Sequence, residues 1–449
     1  MANKPAELTL KVQRLTTDGL GETLVPNDQG LPPRTVLMRN ALPDETVEVR
    51  VLKRRKGIWY AESADEPIAL PFSDMRRSCA CAHFPRCGGC SLHHMKAHDA
   101  LQLKLSQLQQ ALAEHNIVPS HWRAPVRANQ LGYRHKARLG VRCVGDNVFV
   151  GFRESFSNRV ARLDACVVLT PQLSALIAPL KKLIAQLSIA TKIPQIEFAQ
   201  GDGVPVLMVR HLLPLSAEDL LLWQNFELQH GVSVLLQSGG YDTLQTLDGQ
   251  APARLGYQLP DWGLHIQFMP QQFIQVNLEM NQVLIRYVLA LLGEIKGQRV
   301  ADLFCGVGNF TLPLARLGAQ VWGYEVATDA VQMAQDNARH NGLTQRVSFA
   351  ALDLYTDSEA AVLPVQVDAL VLDPPRSGAG PNLPRWLAEF RGDRVVYVSC
   401  NPKTFASDAV HLRAAGFELE TVGIFDMFPN TTHVETIGRF RRTGECSNG

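Results

Sequence analysis

The 449-residue chain has no stretch of about eighteen residues free of charged and polar breaks, so no segment reads as a membrane-spanning helix. Its first residues, MANKPAELTLKVQRL, lack an unbroken apolar core and a small-residue cleavage site. They do not read as a secretory signal, and a cytoplasmic location is the expectation. Nine cysteines are too few for a disulfide scaffold at this length. There is no internal repeat and no low-complexity tract. The net charge of +1 is small, but it hides an asymmetry: residues 1–165 carry 24 lysines and arginines against 16 acids, and residues 166–449 carry 20 against 27. The basic front is a candidate polyanion-binding face, although uneven surface charge alone would read the same way.

What is present falls into three stretches. Residues 8–63 hold short alternating segments (LTLKVQRL, RTVLMR, TVEVRVLKRR, IWYAESA) separated by turn residues at Asp18-Gly19, Pro26-Asn27-Asp28, Pro32-Pro33 and Pro43-Asp44, which predicts a small β-barrel. Lys53, Arg54, Arg55 and Lys56 make a basic hairpin tip with Trp59 and Tyr60 beyond it, a combination suited to single-stranded nucleic acid. Residues 64–90 are irregular and contain four of the nine cysteines, a clustering that points to metal binding. A helix is expected over 92–116, from Leu101, Leu105, Leu108 and Leu112, and another over LSALIAPLKKLIAQL. Residues 123–270 otherwise mix strands and helices. From 299 onward apolar strands alternate with helices, the pattern of a doubly wound, mostly parallel sheet.

In that last stretch the strand RVADLF runs into Cys305-Gly306-Val307-Gly308-Asn309, where glycines let the backbone approach a ligand. Glu325 ends the next strand, placed to accept hydrogen bonds from ribose hydroxyls. The third glycine of a dinucleotide fingerprint is missing, which fits a nucleoside cofactor without a pyrophosphate. Asp353 follows the third strand and Asp373-Pro374-Pro375-Arg376 the fourth, at the carboxyl ends where open α/β sheets bind ligands. RVVYVS then ends in Cys400, and Glu435 opens the last predicted strand. A cysteine at that edge is placed for nucleophilic work, although a lone cysteine is more often structural.

DLFCGVGNF, DPPRSG, VYVSCNP, HVETI and FIQVN (273–277) together resemble the RNA uracil-5-methyltransferase family, over almost the whole chain. The resemblance implies S-adenosylmethionine (SAM) as cofactor, Cys400 as nucleophile and Glu435 as base. It implies Gln275, Phe304, Glu325, Asp353 and Asp373 as SAM contacts, with Gly306, Gly308 and Asn309 shaping the loop; some members carry Asn at the position of Asp353. Carbon 5 of uracil is a poor nucleophile until a thiolate adds at carbon 6, so the site must favour thiolate and supply a separate base.

Cys81, Cys87 and Cys90, with Cys166, resemble the iron–sulfur motif of the ribosomal RNA branch and imply a [4Fe–4S] cluster. Spacing alone would suit zinc equally, and Cys79 is given no role. DGLGE and RNALPDETVEV resemble a TRAM domain, an RNA-binding barrel. The expected fold class is α/β: an OB-like TRAM barrel over 1–66, a central α+β domain with the iron–sulfur site over 67–272, and a Rossmann-like class I SAM methyltransferase domain over 273–449. The implied partner is a folded segment of 23S ribosomal RNA with one uridine turned out of its stack, bound by a monomer with no membrane or obligatory protein partner. Arg134, Lys136 and Arg138 are candidate RNA contacts. The same chemistry could instead act on another or a second ribosomal RNA uridine, or on tRNA, and two rival readings of a different kind remain at this level. One is an amino-group methyltransferase, because DPPR resembles the DPPY-type motif. The other is a catalytically dead RNA-binding protein.

Overall fold

A computed structural model describes residues 7–26, 32–63, 72–127, 129–356 and 366–443. The expected turn residues Asn27 and Asp28, and residues 64–66 of the expected barrel, lie outside them.

The N-terminal sheet has six strands, β1 (Glu7–Lys11), β2 (Arg14–Leu15), β3 (Gly21–Val25), β4 (Arg34–Arg39), β5 (Thr46–Arg55) and β6 (Ile58–Glu62), in the order β1-β5-β6-β4-β3-β2. β1 and β2 are halves of one bent strand. The Val12 amide donates to Glu45 on one side, and the next amide, Gln13, donates to Glu22 on the other, so the sheet curls onto itself. Its inward-pointing residues, Val36, Met38, Val47, Val49 and Ala61, form their own core. The hairpin between β5 and β6 carries the basic tip, and Arg54 lies 4.3 Å from the Trp59 ring centroid.

After the cysteine-rich segment comes α1 (Ala97–Glu114), shorter than the expected 92–116. Leu92 and Met95 are buried in a separate cluster, and the Ser91 and Leu92 amides bond to Asn430, so the chain enters the helix only at Lys96. The two-residue strands β7 (His121–Trp122) and β8 (Val126–Arg127) follow. The central sheet uses β9 (Lys136–Val144) and β10 (Asn147–Gly151). The expected single helix over LSALIAPLKKLIAQL is two, α2 (Pro171–Ala175) and α3 (Ile177–Ile184). Pro179 explains the break: its ring conflicts with the carbonyl four residues back, so it is tolerated only in a helix's first turn. Next come β11 (Gln195–Ala199), β12 (Val206–Arg210), α4 (Ala217–His230), β13 (Ser233–Gln237) and β14 (Gln245–Thr246), giving the order β10-β9-β11-β12-β13-β14. α4 is the crossover between the parallel pair β12 and β13, and Ser216 with Asp219 forms its capping box.

The hairpin β15 (Leu255–Leu259) and β16 (Leu264–Phe268) leads to α5 (Leu278–Leu292). The largest sheet then forms from β17 (Arg299–Leu303), α6 (Thr311–Arg316), β18 (Gln320–Glu325), α7 (Thr328–His340), β19 (Val347–Ala351), β20 (Ala369–Leu372), α8 (Leu383–Glu389), β21 (Arg394–Ser399), α9 (Pro402–Ala414), β22 (Phe417–Asp426) and β23 (Glu435–Arg442). Its order is β19-β18-β17-β20-β21-β23-β22-β7, with β8 also on β22. The pairs from β19 through β21 are parallel, and β23 inserts antiparallel between β21 and β22. The parallel strands are buried on both faces, hence near-continuous apolar runs such as VVYV. α1 joins this sheet's core through Leu101, Leu108 and Leu112. Among the described residues no helix is long and apolar enough to cross a membrane.

Candidate active site

The carboxyl ends of β17, β18, β20 and β21 bring the expected cofactor residues to one edge. Phe304 follows β17 with a positive φ of 67°, a costly conformation for a bulky side chain that turns the backbone out of the strand. Gly308, at φ 95°, would set a Cβ 3.3 Å from Leu312, so the loop packs onto α6 only without a side chain there. Asn309 is tied inward: its amide exchanges two 2.9 Å hydrogen bonds with Asn281 of α5, and its oxygen also accepts from the Tyr257 hydroxyl at 2.9 Å. Residue patterning gave no signal for Tyr257 or Asn281. The Glu325 carboxylate accepts the Gly306 amide at 3.2 Å and the Val326 and Ala327 amides at 2.8 and 3.1 Å. Asp353 accepts the Tyr355 amide at 2.8 Å, and Tyr355 packs edge-on against Phe304. Gln275 is buried just before α5.

The strand register decides which residues meet at the reacting end. Ser399 on β21 pairs with Thr436 on β23, so one step further Cys400 stands opposite Glu435. Directly opposed residues of antiparallel strands have Cα atoms about 4.5–5.5 Å apart. Glu435 is 2% exposed, and burial followed by the charge of Asp373 pushes its carboxyl well above the usual range. Burial and the charge of Asp302 push Asp373 up to about 7, and Asp302, buried with one oxygen bonded to Thr311 at 2.5 Å, is itself pushed up by burial to about 7. Cys400 corrects one expectation. The ligand-free site does not favour thiolate: burial first, then Glu435 and Asp373, push the thiol up to about 11, against a smaller opposing pull from Arg376. A crevice with this many carboxylates instead favours an incoming cation, such as a sulfonium. Arg376, which faces Cys400, was not among the expected site residues.

The four expected cluster cysteines share a separate pocket. Cys81, Cys87, Cys90 and Cys166 line it together with Phe84 and Phe152. The Gly89 amide donates to Cys87 Sγ at 3.4 Å, and the Val168 and Leu169 amides hydrogen-bond Cys166. Among the described residues no three His, Cys, Asp or Glu side chains are grouped as a single metal ion requires. Cys79 lies to one side, its sulfur 3.4 Å from His93 Nδ1. Of the candidate RNA contacts, Lys136 turns inward, donating to the Pro270 and Gln272 carbonyls at 2.8 and 2.5 Å. Arg138 is engaged by Glu197 at 3.1 Å and Tyr241 at 2.8 Å, and Arg134 Nε by the Lys136 carbonyl.

A sheet of this order, with a glycine turn after its first strand and an acid closing its second, defines a class I SAM-dependent methyltransferase. The sequence profile of the tRNA (uracil-5-)-methyltransferase family matches residues 96–441. The chain is 38% identical over 422 residues to a 23S rRNA (uracil(1939)-C(5))-methyltransferase of Nitrosospira multiformis, covering 91% of this chain and 94% of that one. It is 40% identical over 416 residues to the protein of the same description in Azoarcus sp. strain BH72, covering 91% and 95%. In fold it is similar to the Pyrococcus abyssi tRNA (uracil-54, C5)-methyltransferase solved with S-adenosyl-L-homocysteine, with a TM-score of 0.70 at 21% identity over 96% of this chain and 100% of that one. The chain belongs to the tRNA (uracil-5-)-methyltransferase family.

Proposed function

We propose that this enzyme methylates carbon 5 of one uridine in 23S ribosomal RNA, the position numbered 1939 in its relatives' descriptions, by way of a covalent adduct on Cys400. The observation that carries the target is near full-length identity of 38–40% to relatives that all bear this description. The observation that supports the mechanism is the nearness of Cys400 to Glu435, one step beyond the Ser399–Thr436 pair, where the Glu435 charge acts on the Cys400 thiol. The Cys400 thiol loses its proton to solvent, and the thiolate Sγ adds to carbon 6 of the ring, making an enolate. Carbon 5 takes the methyl group from the sulfonium, leaving S-adenosylhomocysteine. Glu435 then removes the carbon 5 proton, the carbon–sulfur bond breaks, and the ring regains aromaticity. Gln275, Phe304, Glu325, Asp353 and Asp373 hold SAM, on a loop shaped by Gly306, Gly308 and Asn309. The barrel over 1–66 is the RNA-gripping TRAM unit, with Arg54 and Trp59 offering a stacking surface. The enzyme acts in the cytoplasm, where its RNA is, as a monomer. Deleting the gene should remove a single 5-methyluridine from 23S ribosomal RNA, mapped by mass spectrometry, and the wild-type gene should restore it. Unchanged ribosomal RNA with 5-methyluridine missing from tRNA would overturn the target.

The pocket of four thiols fits a [4Fe–4S] cluster better than a zinc ion. Four sulfurs about 2.3 Å from one zinc would crowd to within about 4 Å of each other, and no such grouping of three or more occurs among the described residues, although all four line one pocket. Amide donors already point at two of the sulfurs, a feature that tunes such clusters. Cys81, Cys87, Cys90 and Cys166 would hold the cluster, and its contribution would be to fix the fold of the segment between barrel and core. Protein purified without air should be brown, with about four iron and four sulfide per chain. Stoichiometric zinc and no sulfide would overturn the cluster.

A further inference from the structure

The segment between β22 and β23 has no regular structure, yet five of its eight carbonyls meet a donor from elsewhere in the chain. Met427 accepts from Asn277 at 3.3 Å, Phe428 from Lys104 at 3.0 Å and Pro429 from the Tyr133 hydroxyl at 3.0 Å. Asn430 accepts from the Ser91 and Leu92 amides at 3.0 and 2.9 Å, and Thr432 from Gln107 at 3.5 Å. A buried irregular segment has to be satisfied in this way. Five residues after Asn430 it delivers Glu435.

Asn430 is tied to groups outside the segment through both its backbone and its side chain. Its backbone sits at φ +66°, tolerable for asparagine and glycine and strained for most residues. Its side chain is 3% exposed: Oδ1 accepts from the Arg77 guanidinium, and Nδ2 donates to the Gln130 carbonyl at 2.7 Å. Arg77 belongs to the cysteine-rich segment, and Ser91 and Leu92 directly follow its last cysteine, Cys90. The Thr432 amide adds a 3.0 Å bond to Ser91 Oγ. The barrel meets the same junction. Arg39 donates to the Cys90 carbonyl at 2.6 Å, and a Cβ on Gly19 would lie 2.4 Å from Leu92 and 3.1 Å from Thr432.

We infer that Asn430 is a positioning residue for Glu435: it carries the folded geometry of the cysteine-rich segment into the strand entry that presents the base. The inference rests on reading Glu435 as the base. The recorded hydrogen-bond partners of Asn430 all lie within the chain.

The test uses the full-length enzyme, SAM and natural RNA, with covalent RNA–protein adduct followed on denaturing gels. Asn430→Gly keeps the backbone conformation and deletes both side-chain bonds. It should lower kcat roughly ten- to a hundredfold, the scale of a misplaced catalytic group, with KM for SAM unchanged, and methylated adduct should accumulate because proton removal has become slow. Asn430→Asp keeps the acceptor for Arg77 and should recover most of the rate. Glu435→Gln is run alongside. If it fails to accumulate methylated adduct, the reading of Glu435 as base fails. If it accumulates adduct while Asn430→Gly turns over like wild type, the positioning role fails and the base stands. If Asn430→Gly folds and binds SAM but forms no adduct at all, the residue supports the whole site rather than the base, and the inference is overturned.

Discussion

Replacing Cys400 with alanine should lower methyl transfer by roughly 10⁴-fold or more, the scale of losing a covalent nucleophile, while SAM binding persists. Without the sulfur, carbon 5 has no enolate to attack from. Among the described residues, Cys305 is not placed to stand in: it is 4% exposed beneath the glycine loop, and a Cβ on Gly323 would lie 2.9 Å from its sulfur. RNA carrying 5-fluorouridine should trap wild-type enzyme as a stable adduct, because the base has no proton to remove, and should trap none of the alanine variant. The pH dependence has a definite sign. With the thiol pushed up to about 11, the reactive thiolate is the minor form below that value, so its fraction rises about tenfold per pH unit. Alkylation of Cys400 by iodoacetamide should therefore climb steadily from pH 7 to 10 in the ligand-free enzyme. Adding SAM places a positive charge among Asp373, Glu435 and Cys400 and should shift the climb to lower pH. Full activity in Cys400→Ala would instead support direct attack, the chemistry of the amino-group methyltransferases that DPPR resembles.

The reacting pair was half legible in the sequence. RVVYVS is an apolar run ending in a turn, so Cys400 falls at a strand's carboxyl edge by inspection, and Glu325 does so for the same reason. That Cys400 and Glu435 are neighbours was not legible from strand patterning. Thirty-five positions separate them, and α9 and β22 intervene. They meet because β23 inserts antiparallel between β21 and β22 instead of adding at the edge, a choice made by tertiary packing that leaves no periodicity in the residues. The thiol's pKa was misjudged for a related reason. Chemistry demands thiolate at the moment of attack, whereas the ligand-free pocket collects carboxylates from four different strands, and their proximity is a property of the fold. The α1 boundary was missed because Leu92 and Met95 are apolar for another partner. The stripe itself held: Leu101, Leu108 and Leu112 are buried, but so is Lys104, which sits on the same face and is 1% exposed. A lysine at an apolar position of a helical stripe was the available signal.

Lys104→Ala should destabilise the fold by about 3–5 kcal/mol, the cost of breaking a buried pair from one side. The ammonium donates to Asp426 at 2.6 Å and to the Phe428 carbonyl at 3.0 Å, with both charged side chains at 5% exposure or less. Burial lowers the lysine's pKa more than Asp426 raises it, so desolvation is the larger effect and the pair itself is not a strong source of stability. The loss on truncation comes from what stays behind, a carboxylate at the end of β22 with no cation; the Phe428 carbonyl keeps its bonds from Thr431. Removing both charges should therefore cost less than removing one. Lys104→Met with Asp426→Leu should recover much of the urea midpoint lost in Lys104→Ala, at unchanged slope. Yet the double variant still lacks the bond that ties Phe428 to α1, leaving its carbonyl only the local bonds from Thr431, so its turnover should stay low while its stability returns. That separation between stability and rate is what a pair retained for placing the base would produce. A double variant restored in both, or a Lys104→Ala protein within about 1 kcal/mol of wild type, would mean the pair is incidental to the site.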